Sequence, residues 1–313
     1  MSLSVKNLSK SYGDKLVLED LSFEVKEPGV YALLGTNGAG KTTSLRIILG
    51  MLAKNGGQVL WNDKPLNSNS ANIGYLAEER GLYPKYSLLD QLLYFAKLRG
   101  VKKSVAMDRI HYWSDRLSVN EYLFPPKVKG KKASKANRAD QLSKGNQQKI
   151  QLIAALLSDP ELLILDEPLS GLDPVNTDLF KSIIREEIEK GKYLIMSSHQ
   201  MPTIEEFCSD ITILNRGKAV LQGNLNEIKK GYGRVNLFVK SDMDISSYIS
   251  SFGLQIAHKT PSEYHLKVTG EQQAMEFLTK LISDNISIVK FELREPSLHE
   301  IFVEKVGNAH EEK

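Results

Sequence analysis

A chain of 313 residues, 41% apolar and 25% charged, has ordinary globular composition and room for two domains. Its formal net charge of +3 is too small to argue for a nucleic-acid partner, and its one cysteine, Cys208, excludes an internal disulfide and suits a reducing compartment. No run approaches the ~18 apolar residues that cross a bilayer, and the start MSLSVKNLSK has no apolar signal region, so the chain is expected to be soluble with no membrane span of its own.

Residues 3–8 and 17–25 alternate apolar and polar around a Gly13-Asp14 turn signal, which predicts an antiparallel pair. Residues 30–34 form a short apolar run that leads into GTNGAGKTT at 35–43. Leu45, Ile48, Leu49 and Leu52 then recur at helical spacing, predicting a helix over 42–52. Residues 87–157 read as a helical insertion, with Leu88, Leu92, Phe95 and Leu98 on one side. Within it, Pro125-Pro126 opens a run in which Lys127, Lys129, Lys131, Lys132, Lys135 and Arg138 stand without an acid. Such a run is expected to be a solvated, mobile loop, contact with anionic lipid or an acidic partner being the alternative. The apolar runs at 162–165 and 193–196, each with helical neighbours, predict buried parallel strands. Residues 211–215 and 218–222 predict a hairpin around Arg216-Gly217.

After Tyr232-Gly233 the pattern changes. Strands at 234–240, 254–260, 263–268 and 286–294 alternate with helices at 245–251 and 271–284, and a last helix follows at 297–306. The order β-α-β-β-α-β is the ferredoxin-like arrangement. Residues 231–313 hold 9 Lys+Arg against 12 Asp+Glu and nothing that reads as catalytic. An interface role is expected for them, such as contact with the same domain of a second subunit. Ser297 and Glu300 predict a helix-capping pair.

The chemistry begins in the glycine loop, which fits G-x-x-x-x-G-K-S/T. Gly35, Gly38 and Gly40 let backbone N–H groups turn inward toward phosphate, with Thr36, Asn37 and Ala39 completing the loop. Lys41 can reach the β- and γ-phosphates, the Thr42 hydroxyl suits Mg²⁺, and Thr43 adds an α-phosphate contact. The run LLILDEP ends in Asp166 and Glu167 at the carboxyl edge of a parallel sheet. There Asp166 can hold Mg²⁺ and Glu167 can take a proton from an attacking water. Ser143 and Gly145, in LSKGNQQK, start a helix whose free N–H groups suit an anion, although Ser143 by itself also reads as an ordinary helix cap. Three motifs in fixed order after a phosphate loop point to ATP binding and hydrolysis.

The set resembles the nucleotide-binding subunit of ABC transporters over residues 3–226, with an ATPase domain at 1–230, its helical subdomain at about 87–157, and an accessory domain at 231–313. The resemblance implies an α/β fold: a P-loop NTPase core of ABC type with a mixed sheet, an antiparallel β subdomain and a helical subdomain, then a small α+β domain. It matches Tyr12 to the aromatic that stacks on adenine, Asp173 (in Ser170-Gly171-Leu172-Asp173) to the segment joining two sites, and His199 to the γ-phosphate sensor. It implies a homodimer or pseudo-dimer in which Ser143 and Gly145 complete the partner's site. It also implies a separate integral-membrane permease and a cytoplasmic location, peripheral on the inner face of the membrane.

Two motifs depart from the family pattern. Glu78, in IGYLAE, replaces the usual Gln, so a carboxylate would approach Mg²⁺ and the phosphates. Lys144 and Asn146 replace Gly and Gln in the signature, leaving Ser143 and Gly145 in place. The tail EPSLHEIF, at 295–302, resembles the E-P-S-L-x-x-I-F motif of type 2 exporters, whose branch includes sodium extrusion and drug or peptide efflux. The competing reading, an ABC ATPase acting on nucleic acid or ribosomes, finds neither long heptads, nor zinc-binding cysteines, nor a second module. A GTPase would need N-K-x-D, which is absent from the sequence.

Overall fold

The computed structural model describes residues 1–67, 71–78, 81–125 and 136–311, the side chains of 308–311 excepted. The predicted basic loop lies outside these residues apart from Arg138, which pairs with Asp140 at 3.3 Å. The chain divides into two compact units, Met1–Gln222 and Gly223–Lys313.

In the first unit β1 (Leu3–Tyr12) and β2 (Lys15–Val25) pair antiparallel, and β3 (Gly29–Gly35) leads to α1 (Lys41–Ile48). That helix ends before the expected residue 52 because Gly50 takes a left-handed φ of +70° just past its end. Two strands that local pattern does not announce, β4 (Gly56–Trp61) and β5 (Lys64–Pro65), extend the first sheet in the order β2-β1-β4-β5. Next come β6 (Ile73–Leu76), α2 (Leu88–Leu98), α3 (Lys103–Arg116), α4 (Asn120–Leu123) and α5 (Lys144–Leu156). Helix α2 buries Leu88, Leu92 and Ala96, while Leu98, expected on the buried side, is 65% exposed.

The unit continues with β7 (Leu162–Asp166), α6 (Pro174–Glu189), β8 (Tyr193–Ser198), α7 (Met201–Phe207), β9 (Cys208–Asn215) and β10 (Lys218–Asn224). The second sheet runs β10-β9-β3-β8-β7-β6, with every pair from β9 to β6 parallel. Its central strands are buried along their whole length, as continuous apolar runs such as LLILD require when both faces are covered. Leu3, Leu21, Leu33, Leu45, Ile164 and Ile195 belong to one core that joins both sheets and α1. The register sets Leu34 of β3 beside Ser198 of β8, and Ser197 of β8 beside Asp166 of β7. The phosphate loop, the acidic pair and the Ser-Ser-His segment therefore emerge along one sheet edge.

The second unit holds α8 (Leu225–Tyr232), β11 (Asn236–Ser241), α9 (Ser246–Ser251), β12 (Gln255–Lys259), β13 (Glu263–Lys267), α10 (Glu271–Ser283), β14 (Ile288–Arg294) and α11 (Leu298–Glu311). Its sheet, β12-β13-β11-β14, is antiparallel at every pairing, which is the ferredoxin-like order. Leu237, Val239, Ile249, Leu266, Phe277 and Leu281 give it a core of its own. Ser297 and Glu300 cap each other at the start of α11: the Glu300 N–H donates to Ser297 Oγ at 3.2 Å, and the Ser297 N–H to Glu300 Oε2 at 2.9 Å.

Candidate functional site

The loop between β3 and α1 needs glycine at its two ends. Gly35 has φ +157°, and a Cβ there would stand 2.5 Å from Leu214 O. Gly40 caps α1 in the left-handed region at φ +108°, where a Cβ would stand 2.8 Å from Leu18 Cδ2. The close approach lets the loop tuck under the β9–β10 turn, where the Gly217 N–H donates to Ala39 O at 3.0 Å. Helix α1 then points its unpaired first-turn N–H groups at the loop's mouth.

Lys41 is buried within the loop and donates to Gly35 O at 2.8 Å and Thr36 O at 3.4 Å. Its Nζ also lies 3.3 Å from Glu167 Oε1. Glu167 Oε2 stands 2.8 Å from His199 Nδ1 and accepts the His199 backbone N–H at 3.4 Å. One strand position earlier, Asp166 Oδ1 accepts from Thr42 Oγ1 at 3.2 Å and from Ser197 Oγ at 2.5 Å. Burial pushes the Asp166 carboxyl above the ordinary carboxylate range, against the pull of those two hydrogen bonds. Lys41, Thr42, Asp166, Glu167 and His199 thus form one contiguous cluster.

An open cleft of about 730 Å³ lies over this cluster. Gly38, Gly40 and Lys41 to Thr43 form its base, and Tyr12, Leu16 and Val17 from the β1–β2 hairpin form one wall. Glu78 and Glu167 also face it. The Tyr12 ring is 52% exposed, with Lys10 Nζ 4.9 Å from its centroid. An exposed aromatic beside a phosphate loop offers a flat apolar platform for a base.

Ser143, Gly145 and Asp173 do not line the cleft. Ser143 caps α5 by accepting the Asn146 N–H at 3.3 Å, and Asp173 caps α6 by accepting the Asn176 N–H at 2.9 Å. Gly145 faces Leu172, the residue before Asp173, so the two caps are neighbours. Gln148 of α5 donates to Pro168 O at 2.6 Å, which ties that helix to the turn after the acidic pair. Sequence reasoning missed the part played by Ser197, and it read Arg216 only as a turn residue, although Arg216 lines the cleft. For Ser197 the signal was its place two residues before His199. Its partners become visible only once β8 is seen between β3 and β7.

The donor set fits a divalent cation and a polyphosphate. Asp166 Oδ2 and Glu167 Oε1 are buried without a hydrogen-bond partner, beside a hydroxyl and at the mouth of an N–H-lined loop. Among the described residues no three acidic, histidine or cysteine side chains gather into a site of their own. The Thr42 hydroxyl and the Asp166 carboxylate are the oxygens that could hold such an ion, with phosphate and water completing its shell.

Comparison with known proteins agrees with this geometry. Residues 18–170 match the family described as ABC transporter, and residues 223–306 match the C-terminal domain of DrrA1-3-like ATP-binding proteins. The ABC transporter ATP-binding protein YhaQ of Bacillus subtilis (strain 168) is 42% identical over 310 residues, covering 99% of this chain and 100% of that protein. Nod factor export ATP-binding protein I of Burkholderia orbicola (strain AU 1054) is 32% identical over 225 residues, 71% of this chain and 70% of that one. A solved ATP-binding subunit of an ABC transporter superposes with a TM-score of 0.65 at 28% identity, covering 74% of this chain and 93% of that chain. No helix among the described residues is long and apolar enough to cross a membrane. The chain belongs to the ABC transporter ATP-binding proteins, and is the ATP-binding subunit of such a transporter.

Proposed function

We propose that this subunit hydrolyses Mg²⁺-ATP between two head-to-tail copies, or between one copy and a close relative, to drive export through a separate integral-membrane permease. The observation that carries the proposal is the position of Glu167, a carboxylate at the sheet edge held between Lys41 and His199 and open to the cleft. The exporter assignment draws on the likeness to the Nod factor export protein and on the EPSLHEIF tail. On this reading residues 1–230 are the motor domain and 231–313 an accessory domain, with the protein cytoplasmic and attached to the membrane's inner face through its permease.

The residues divide the work. Lys41 exchanges the Gly35 and Thr36 carbonyls for phosphate oxygens, while the loop N–H groups hold the rest of the polyphosphate. Leaving Glu167 in this way frees its Oε1 to accept a proton from a water aligned with the γ-phosphate. His199 keeps Oε2 oriented and reads the γ-phosphate through its other ring nitrogen. Thr42 and Asp166 hold the cation, with Glu78 nearby on the cleft wall. Bound with the nucleotide, Mg²⁺ supplies charge neutralisation along the phosphates. Tyr12 stacks on the adenine, and the α5 N-terminus with Ser143 and Gly145 closes over the partner's γ-phosphate, with Asp173 at the seam between the two sites.

Replacing Glu167 by Gln removes the base and keeps the shape. That variant should bind ATP, accumulate as an ATP-bound dimer on size-exclusion chromatography, and lose turnover by about 10²–10⁴-fold. Hydrolysis at the wild-type rate would remove Glu167 from this role.

A further inference from the structure

Ser197 is fully buried at the end of β8, the strand that separates the phosphate-loop strand from the acidic strand. It stands opposite Leu33 on one side and Asp166 on the other. Its hydroxyl is used twice. The hydrogen goes to Asp166 Oδ1 at 2.5 Å, and the oxygen accepts the backbone N–H of Glu167 at 2.9 Å. Glu167 has φ +49°, the left-handed region that a residue with a side chain occupies only when its surroundings hold it there. Ser198, next in the chain, spends its hydroxyl on its own turn by accepting the Gln200 N–H at 2.9 Å.

We propose that Ser197 is a positioning residue for hydrolysis: one hydroxyl fixes the rotamer of Asp166 and pins the left-handed backbone that aims Glu167 into the cleft. The inference rests on the assignment of Glu167 as base and Asp166 as cation holder. Ser197 is itself buried and does not line the cleft. Without it, the Glu167 backbone is free to relax toward right-handed values, and the carboxylate swings away from the line of attack.

The test uses the full chain with Ser197→Ala, Ser197→Thr and Ser197→Cys, alongside Glu167→Gln. Ser197→Ala should lower kcat by about a hundredfold, the scale of a misplacement of roughly 1 Å at the reacting centre. KM for ATP, and the affinity for a fluorescent ATP analogue without divalent cation, should stay within about twofold, since the phosphate loop is untouched. Ser197→Thr keeps the hydroxyl and should restore most of the rate, while Ser197→Cys, similar in shape but a weak hydrogen-bonding group, should fall between. Should Ser197→Ala not fold, the Cys and Thr pair carries the same comparison. A Ser197→Ala enzyme at wild-type kcat, a Thr variant no faster than Ala or Cys, or a parallel loss of cation-free nucleotide binding would each overturn the inference. A dead Glu167→Gln beside an unimpaired Ser197→Ala would refute Ser197 alone, whereas an active Glu167→Gln would refute the assignment beneath it.

Discussion

Two acidic pairs in this chain face the same problem, how to keep a carboxylate partly out of water, and meet it in opposite ways. At the edge of β7, Asp166 and Glu167 are 0% and 4% exposed, each keeps a buried oxygen without a hydrogen bond, and Glu167 sits on a left-handed backbone. In the C-terminal unit, Glu300 in the first turn of α11 accepts hydrogen bonds from Lys267, Asn236 and Ser297. Burial pushes the Glu300 carboxyl up, but Lys267 and Ser297 outweigh it and hold it down at about 2. Glu292 on β14 is also held at about 2, chiefly by Arg294 and then Lys290. The C-terminal unit completes its charges with its own residues and gains order from them. The sheet edge leaves its carboxylates incomplete, and on the proposed function a cation and a polyphosphate bring what is missing. Among the described residues, the unpartnered buried atom of the C-terminal unit, His265 Nε2, is not a carboxylate, so it is the incomplete buried acid that marks the working end.

The largest loss is expected at the working end. Lys41→Ala takes away both the phosphate contact and the counter-charge of Glu167, and turnover should drop by about 10³-fold in a phosphate-release assay. A loss below tenfold would mean the buried ion pair is structural only.

The second prediction concerns stability and has the opposite sign from the usual core mutation. The folded Asp166 carboxyl sits above its unfolded value, so its favourable contribution is present at low pH and lost as pH rises through the folded value. Its ionised form burdens the nucleotide-free fold. Asp166→Asn should therefore raise Tm by a few degrees at neutral pH, on the scale of about 2–4 °C per kcal/mol for a unit of this size. The gain should shrink in acid, and Mg²⁺ should no longer sharpen ATP binding. A lower Tm at neutral pH would contradict the burden that burial places on this carboxylate.

Glu300 should behave in the mirror sense. Its folded value lies below the unfolded one, so its stabilisation is present above the ordinary carboxylate range and is lost as pH falls from about 4.5 toward about 2. Glu300→Gln should weaken the C-terminal unit at neutral pH by a small amount, since the site is partly exposed, and should flatten its acid unfolding curve. Circular-dichroism melts across that pH window check it. An unchanged acid profile would show that Lys267 and Ser297 do not hold the charge.

Much of this was legible in the chain alone. The loop at 35–43 and the apolar runs before Asp166 and Ser197 are local signals, and the ferredoxin-like order followed from alternating patterns after Tyr232. What local pattern could not show was set by pairing at a distance. Strand β4 begins with Gly56-Gly57 and is half-buried, and its identity comes from pairing with β1, 47 to 58 positions earlier. Leu98 was expected inside because it fits the helical period, yet Ala96 takes the buried place. The double use of Ser197 depends on the strand order β3-β8-β7, which no spacing in the sequence encodes. Ser143, Gly145 and Asp173 were found by motif, and a single copy does not bring them to the cleft, in keeping with a site shared between chains.

If the site is shared between chains, two chains with different defects should repair each other when mixed. A Cβ at Gly145 would meet only Leu172 Cδ2 at 3.6 Å, an ordinary contact, so Gly145→Asp should fold, and on the proposed function it places a carboxylate where the partner's γ-phosphate would sit. Lys41→Ala and Gly145→Asp chains should each be nearly inactive alone. Mixed in equal amounts they should recover roughly a quarter of wild-type hydrolysis, because half the dimers pair one intact loop with one intact signature helix at one of two sites. A mixture no more active than either variant by itself would contradict a site built from two chains.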